Sequence, residues 1–122
     1  MQKLLDKVVS ELKSISGVEA IYLFGSCAKG KAKPFSDIDI CVVTRRISES
    51  KKSEILSISS KKIDTSIFWD LPPAIQYRVI KEGKPLFIGN ELFLHRVRVG
   101  AISRYLDFKP VLERRFNRMI AG

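Results

Sequence analysis

Three short apolar runs, each rich in β-branched and aromatic residues, limit most tightly what this chain can become. They are Val18–Phe24 (VEAIYLF), residues 37–44 (DIDICVVT) and residues 63–69 (IDTSIFW). Runs of this length and composition read as strands. Between and around them lie stretches with helical periodicity. Leu4, Leu5, Val8, Val9 and Leu12 recur at three- and four-residue steps and form one apolar stripe. Gly17 follows as a stop. The polar stretch 45–60 is helical in part, with Ile55, Leu56 and Ile58 turned inward. Leu71-Pro72-Pro73 opens a further helix that ends at Gly83. Pro85 to Ile88 suits an edge strand, where proline is tolerated. From Glu91 a helical pattern runs almost to the end through Leu92, Phe93, Val97, Ala101, Leu106, Leu112, Phe116 and Met119, with Gly100 and Pro110 as expected breaks or kinks. The order implies one α/β (α+β) domain, residues 1–122, built on a small mixed sheet of about four strands flanked by helices.

The chemistry is concentrated between the first two strands. Gly25-Ser26 ends the first run, ten residues follow, and Asp37-Ile38-Asp39 opens the second. Side chains alternate faces along a strand, so Asp37 and Asp39 point the same way, about 6.5–7 Å apart at Cα. Two carboxylates so close repel, and a hard divalent cation such as Mg²⁺, which takes oxygen ligands, offsets that repulsion. Asp64, at the start of the third run, adds a third acid if the two strands are neighbours. Three such acids can hold two ions. Asp70 is a rival for that role, but it precedes Leu71-Pro72-Pro73 and reads as a helix N-cap. Glycine lets the backbone approach a ligand closely, and Gly25, the Ser26 hydroxyl and Lys29, with Lys31 and Lys33, would form an anion cradle. Either piece alone is common in turns and exposed strand ends. Together, at this spacing, they point to phosphoryl or nucleotidyl transfer.

The segment LFGSCAKGKAKPFSDIDICVV resembles the signature of the DNA polymerase β-type nucleotidyltransferase superfamily. More narrowly, the chain resembles its small stand-alone members, the minimal nucleotidyltransferases, or MNT proteins. The IKEGKPLFIGN stretch also sits where that family has a comparable segment. The resemblance implies a mixed sheet with helices on one side, and transfer of a nucleoside monophosphate, AMP from ATP, to a hydroxyl with release of pyrophosphate. On it, Gly25, Ser26 and Lys29 bind the nucleotide. Asp37, Asp39 and Asp64 are the catalytic and metal-binding residues for two Mg²⁺ ions. Cys27, Lys29 and Lys33 stand where relatives often carry Arg. Lysine keeps the charge but loses the bidentate fork that suits phosphate. MNT proteins commonly pair with a helical HEPN protein, an RNase toxin, and silence it by attaching AMP to a tyrosine hydroxyl. The resemblance thus implies an antitoxin that AMPylates its partner. Two alternatives stay open, a non-enzymatic binding antitoxin and the catalytic subunit of a two-chain nucleotidyltransferase acting on a small molecule or RNA.

Charge bears on the partner. Of the 122 residues, 22 are Lys or Arg and 13 Asp or Glu, a net charge of +9. The excess sits in residues 45–62 and 91–122, each +4. Arg96, Arg98, Arg104, Lys109, Arg114, Arg115 and Arg118 would serve RNA or an acidic protein surface, or form a solvated helix face. Tyr105, Phe108, Phe68, Trp69 and the single His95 read as structural. No apolar run reaches the roughly 18–20 residues of a membrane span, and the N-terminus lacks a signal-peptide core. A cytoplasmic protein is expected, with Cys27 and Cys41 as free thiols and no zinc site.

Overall fold

The first helix, α1 (Gln2–Lys13), forms because Leu5, Val8 and Leu12 stack on one side, and all three are buried. Gly17 turns the chain at a φ of +98°, where a side chain would be strained. β1 (Val18–Phe24) then enters the sheet. The computed structural model describes residues 2–25, 38–58 and 62–121. β2 (Ile38–Thr44) returns antiparallel to β1. Next comes α2 (Glu49–Ser57), whose N-cap Ser48 accepts a hydrogen bond from the Lys51 amide at 3.2 Å. β3 (Ile63–Ile67) follows and pairs parallel with β2. A 3-10 turn (Phe68–Asp70), α3 (Pro73–Glu82), β4 (Lys84–Ile88) and α4 (Glu91–Ala121) complete the order. The sheet reads β3-β2-β1-β4, so β4 is the expected edge strand.

The helices cover both faces of the sheet, not one. Ile21 of β1 and Ile38, Ile40 and Val42 of β2 pack with α1 and with Ile55 of α2. Ala20 and Tyr22 of β1 and Cys41 and Val43 of β2 pack with Val79 of α3 and with Leu94, Val97 and Ala101 of α4. Central strands buried on both sides need apolar residues at successive positions, and the run Ile40-Cys41-Val42-Val43 supplies them.

Four further expectations are corrected. The third strand ends at Ile67, and Phe68 and Trp69 belong to the 3-10 turn. Asp70 does not cap α3: the N-cap position is Pro72, and Asp70 pairs instead with Lys52 at 2.8 Å. Gly100 and Pro110 do not break α4, which runs through both as one helix of 31 residues. Leu56, which was expected to turn inward, is exposed, as are Leu92 and Leu106. Met119 stands eighteen residues after Ala101, five turns along the same face. Ala101 is 0% exposed and Met119 80%, so the inward face of α4 continues past the body it covers. Tyr105 is structural as expected, stacked on Tyr77 at 4.0 Å, whereas His95 lies exposed outside the core. No helix among the described residues is long and apolar enough to cross a membrane.

Candidate active site

Register builds the site. Antiparallel pairing sets Phe24 of β1 opposite Asp39 of β2. Parallel pairing sets Asp39 opposite Asp64 of β3. Register partners on neighbouring strands share a face and lie about 4.8 Å apart in the pairing direction. Asp39 and Asp64 therefore stand side by side. The ladder continues one step further, where the Ile38 amide donates to Lys62 O at 2.7 Å. Asp39 is half-buried, and Asp64, on the edge strand, is exposed.

Gly25 closes the other flank of this row. Its φ is +77°, and a Cβ built there would stand 2.7 Å from Asp39 Oδ2. Glycine at this position thus does two things. It accepts a left-handed backbone, and it leaves the room that the Asp39 carboxylate occupies. The sequence predicts a close approach of Gly25 to a ligand; what the structure sets beside Gly25 is a carboxylate of the acidic row.

Of the other predicted site residues, Ser26, Lys29 and Asp37 lie outside the described residues, as does Cys27. Among the described residues no third Asp, Glu, His or Cys joins Asp39 and Asp64 in a cluster fit for a metal ion. Asp70 is excluded as a member of the row, since it follows the far end of β3 and is engaged with Lys52. The donor set of the row is all oxygen and anionic, which fits a hard divalent cation and not zinc.

The sheet behind the acids is inert. Cys41 follows Asp39 by two residues and so shares its face. Burial pushes its thiol up to about 12, which keeps it protonated and unreactive. Tyr22, opposite Cys41 in the register, is buried, and its hydroxyl accepts two hydrogen bonds from Arg98, at 3.1 Å from Nε and 2.7 Å from Nη2. This pairing ties α4 to β1. Arg98, one of the basic residues read as a solvated or partner-binding face, is thus spent inside the fold. So in part is Arg104, which donates to Gln76 Oε1 at 3.2 Å.

The family model for polymerase beta nucleotidyltransferases matches residues 6–92, a span that holds Gly25, Asp39 and Asp64. The chain belongs to that nucleotidyltransferase family. It is 38% identical over 105 residues to a protein of Methanocaldococcus jannaschii that carries the provisional name protein adenylyltransferase, covering 84% of this chain and 83% of that one. Its fold is that of a chain in a toxin–antitoxin complex crystallised with AMP-PNP, at TM-score 0.76 and 22% identity over 97% of both chains. A chain of the complex of a tri-AMPylated Shewanella oneidensis HEPN toxin with an MNT antitoxin gives TM-score 0.73 and 22% identity, covering 98% of this chain and 99% of that one. A Sulfolobus solfataricus protein provisionally described as a nucleotidyltransferase gives TM-score 0.53 and 26% identity over 72% and 80%. This nucleotidyltransferase thus has the fold that its motif predicts, and two of the three expected acids, Asp39 and Asp64, stand side by side in it.

Proposed function

We propose that this nucleotidyltransferase moves AMP from ATP to a hydroxyl on a partner protein, and that the partner is a helical HEPN-type toxin which the modification silences. The observation that carries the chemistry is the row Gly25, Asp39, Asp64, with the two acids adjacent in parallel register. The provisional name of the M. jannaschii relative and the AMPylated toxin in one of the similar complexes support the acceptor.

In this reading Asp37, Asp39 and Asp64 hold Mg²⁺, two ions in all. The ions, when bound, neutralise charge on the reacting phosphate and lower the pKa of the attacking hydroxyl. Gly25, the Ser26 hydroxyl and Lys29 hold the triphosphate. Asp64, exposed on the edge strand, faces the side from which a bulky acceptor can enter. It takes the proton of the attacking hydroxyl. The hydroxyl oxygen forms a bond to the α-phosphorus while the α–β bridging bond breaks, and pyrophosphate leaves.

The test is incubation of the purified chain and its co-expressed partner with ATP labelled at the α-phosphate and Mg²⁺, beside the Asp37→Ala/Asp39→Ala variant. Label on a partner tyrosine with wild type only is the expected result. Toxin inhibition by wild type without label on any partner or RNA would overturn the enzymatic reading in favour of a stoichiometric antitoxin.

A further inference from the structure

The sheet end opposite the acidic row carries a cleft of about 450 Å³ that the transfer chemistry does not use. This lies within the roughly 300–1,000 Å³ of small-molecule sites. Thr44, Trp69 and Phe93 line it, together with Arg46, Glu49 and Asp70. Thr44 follows Asp39 by five residues along β2, so the two places are about 16–17 Å apart.

Three features mark the cleft as built for a ligand. First, Trp69 is held but not covered. Its indole N–H donates to Thr44 O at 2.8 Å, Phe68 meets it edge-on at 5.2 Å, and the Arg104 guanidinium lies 5.8 Å from its ring. Trp69 is nonetheless 43% exposed. A flat aromatic surface fixed in place and left open is a stacking platform, and Phe93, with the Arg45 guanidinium 5.9 Å from its ring, borders it. Second, Thr44 is 1% exposed, and its Oγ1 has no hydrogen-bond partner. Sealed from solvent, Thr44 closes the floor of the cleft, and its carbonyl oxygen anchors the Trp69 indole there. Third, the charges are unevenly spent. Arg45 is tied to Glu19 at 2.6 Å, whereas Arg46 has no partner among the described residues. Asp70 gives Oδ1 to Lys52 and remains 48% exposed.

We propose that this cleft is a second nucleotide site, taking a mononucleotide. The base lies against Trp69 and Phe93, the ribose hydroxyls donate to the carboxylates of Glu49 and Asp70, and the phosphate meets Arg46. The mixture selects this chemistry. The lining also holds Arg45 and Lys52, tied to Glu19 and Asp70, so Arg46 is the lining cation with no partner among the described residues and suits a single phosphate, while a purely apolar ligand would leave Arg46, Glu49 and Asp70 unanswered.

The protein has one tryptophan, so its emission reports on this cleft. The full chain, freed of divalent cations with EDTA, is titrated with AMP, adenosine and inorganic phosphate, with free tryptophan amide correcting for absorption. The expected result is a saturable change in Trp69 emission with AMP, at lower concentration than with adenosine, and none with phosphate. Arg46→Glu, an exposed replacement, should weaken AMP about 10-fold or more through loss of a charged contact. Asp39→Asn should leave the AMP titration unchanged. No response to AMP at millimolar concentration overturns the proposal, even if a protein partner alters the emission. So does a response that survives Arg46→Glu or that disappears in Asp39→Asn.

Discussion

Replacing Gly25 by alanine separates backbone strain from damage to the acidic row, because the fold supplies its own control. Gly17 and Gly25 are the two described residues with positive φ, at +98° and +77°. A Cβ at Gly17 would meet Ile47 Cγ2 at 2.8 Å, and one at Gly25 would meet Asp39 Oδ2 at 2.7 Å. Both substitutions force an L side chain into the left-handed region, which costs about 1–2 kcal/mol. For a chain of this size that lowers the melting temperature by about 4–8 °C. The second contact differs in kind. At Gly25 the obstructing atom is the end of the Asp39 side chain, and any shift that relieves the contact carries a proposed metal ligand out of the row. Disturbing what orients a metal ligand typically costs about 10–100-fold in affinity. Calorimetric titration with Mg²⁺ and a non-hydrolysable ATP analogue needs no acceptor and reads this directly. Gly25→Ala should bind about 10–100-fold more weakly than wild type, and Gly17→Ala should bind as wild type does despite a similar loss of thermal stability. Equal binding by the two variants would refute the role of Gly25 beside Asp39.

Three other outcomes are expected. Asp64→Asn should keep the fold, since Asp64 is exposed on an edge strand, and should lower the rate of label transfer by about 100–10,000-fold, the range typical of removing a positioned general base. Tyr22→Phe should destabilise the protein by about 1–3 kcal/mol in thermal melts, because it removes the acceptor of both Arg98 hydrogen bonds. Cys41, whose thiol burial pushes up to about 12, should resist iodoacetamide at pH 8, reacting about a thousandfold more slowly than in urea, as peptide mapping would show. The sign of the associated stability change follows. The folded thiol stays protonated where the unfolded one ionises, so stability is lost as the pH rises past about 9.

Much of the fold was legible because local patterns agreed with the tertiary outcome. β1 matches its run residue for residue, since VEAIYLF is bounded by a turn glycine on each side. The third run extends two residues past the strand it forms. Phe68 and Trp69 are strand formers by composition, but the chain must turn before the two prolines that open α3, and Phe68 is buried in that turn. α4 continues across Pro110 because no turn residues stand beside the proline and the apolar spacing persists on either side. The covering of both sheet faces had a signal in the unbroken apolar run of β2, outweighed by the pattern implied by resemblance. The place of Asp39 near the start of β2 is legible from the strand pattern, whereas its partnership with Asp64 depends on strand order. The Thr44–Trp69–Phe93 cleft draws its residues from three separate stretches of the chain and leaves no periodic trace.

Parallel strands cannot be joined by a tight turn, so Asp64 reaches Asp39 only after the chain has crossed over through α2. No short stretch of nascent or unfolded chain can therefore assemble this pair. A cation held between the two acids, as proposed, binds the native state and has no equivalent partner in the denatured one. Its binding energy becomes folding energy, about 2.7 kcal/mol at a hundredfold excess over its dissociation constant. The supply of divalent cations in the cell would then govern how long the protein stays folded as well as how fast it works.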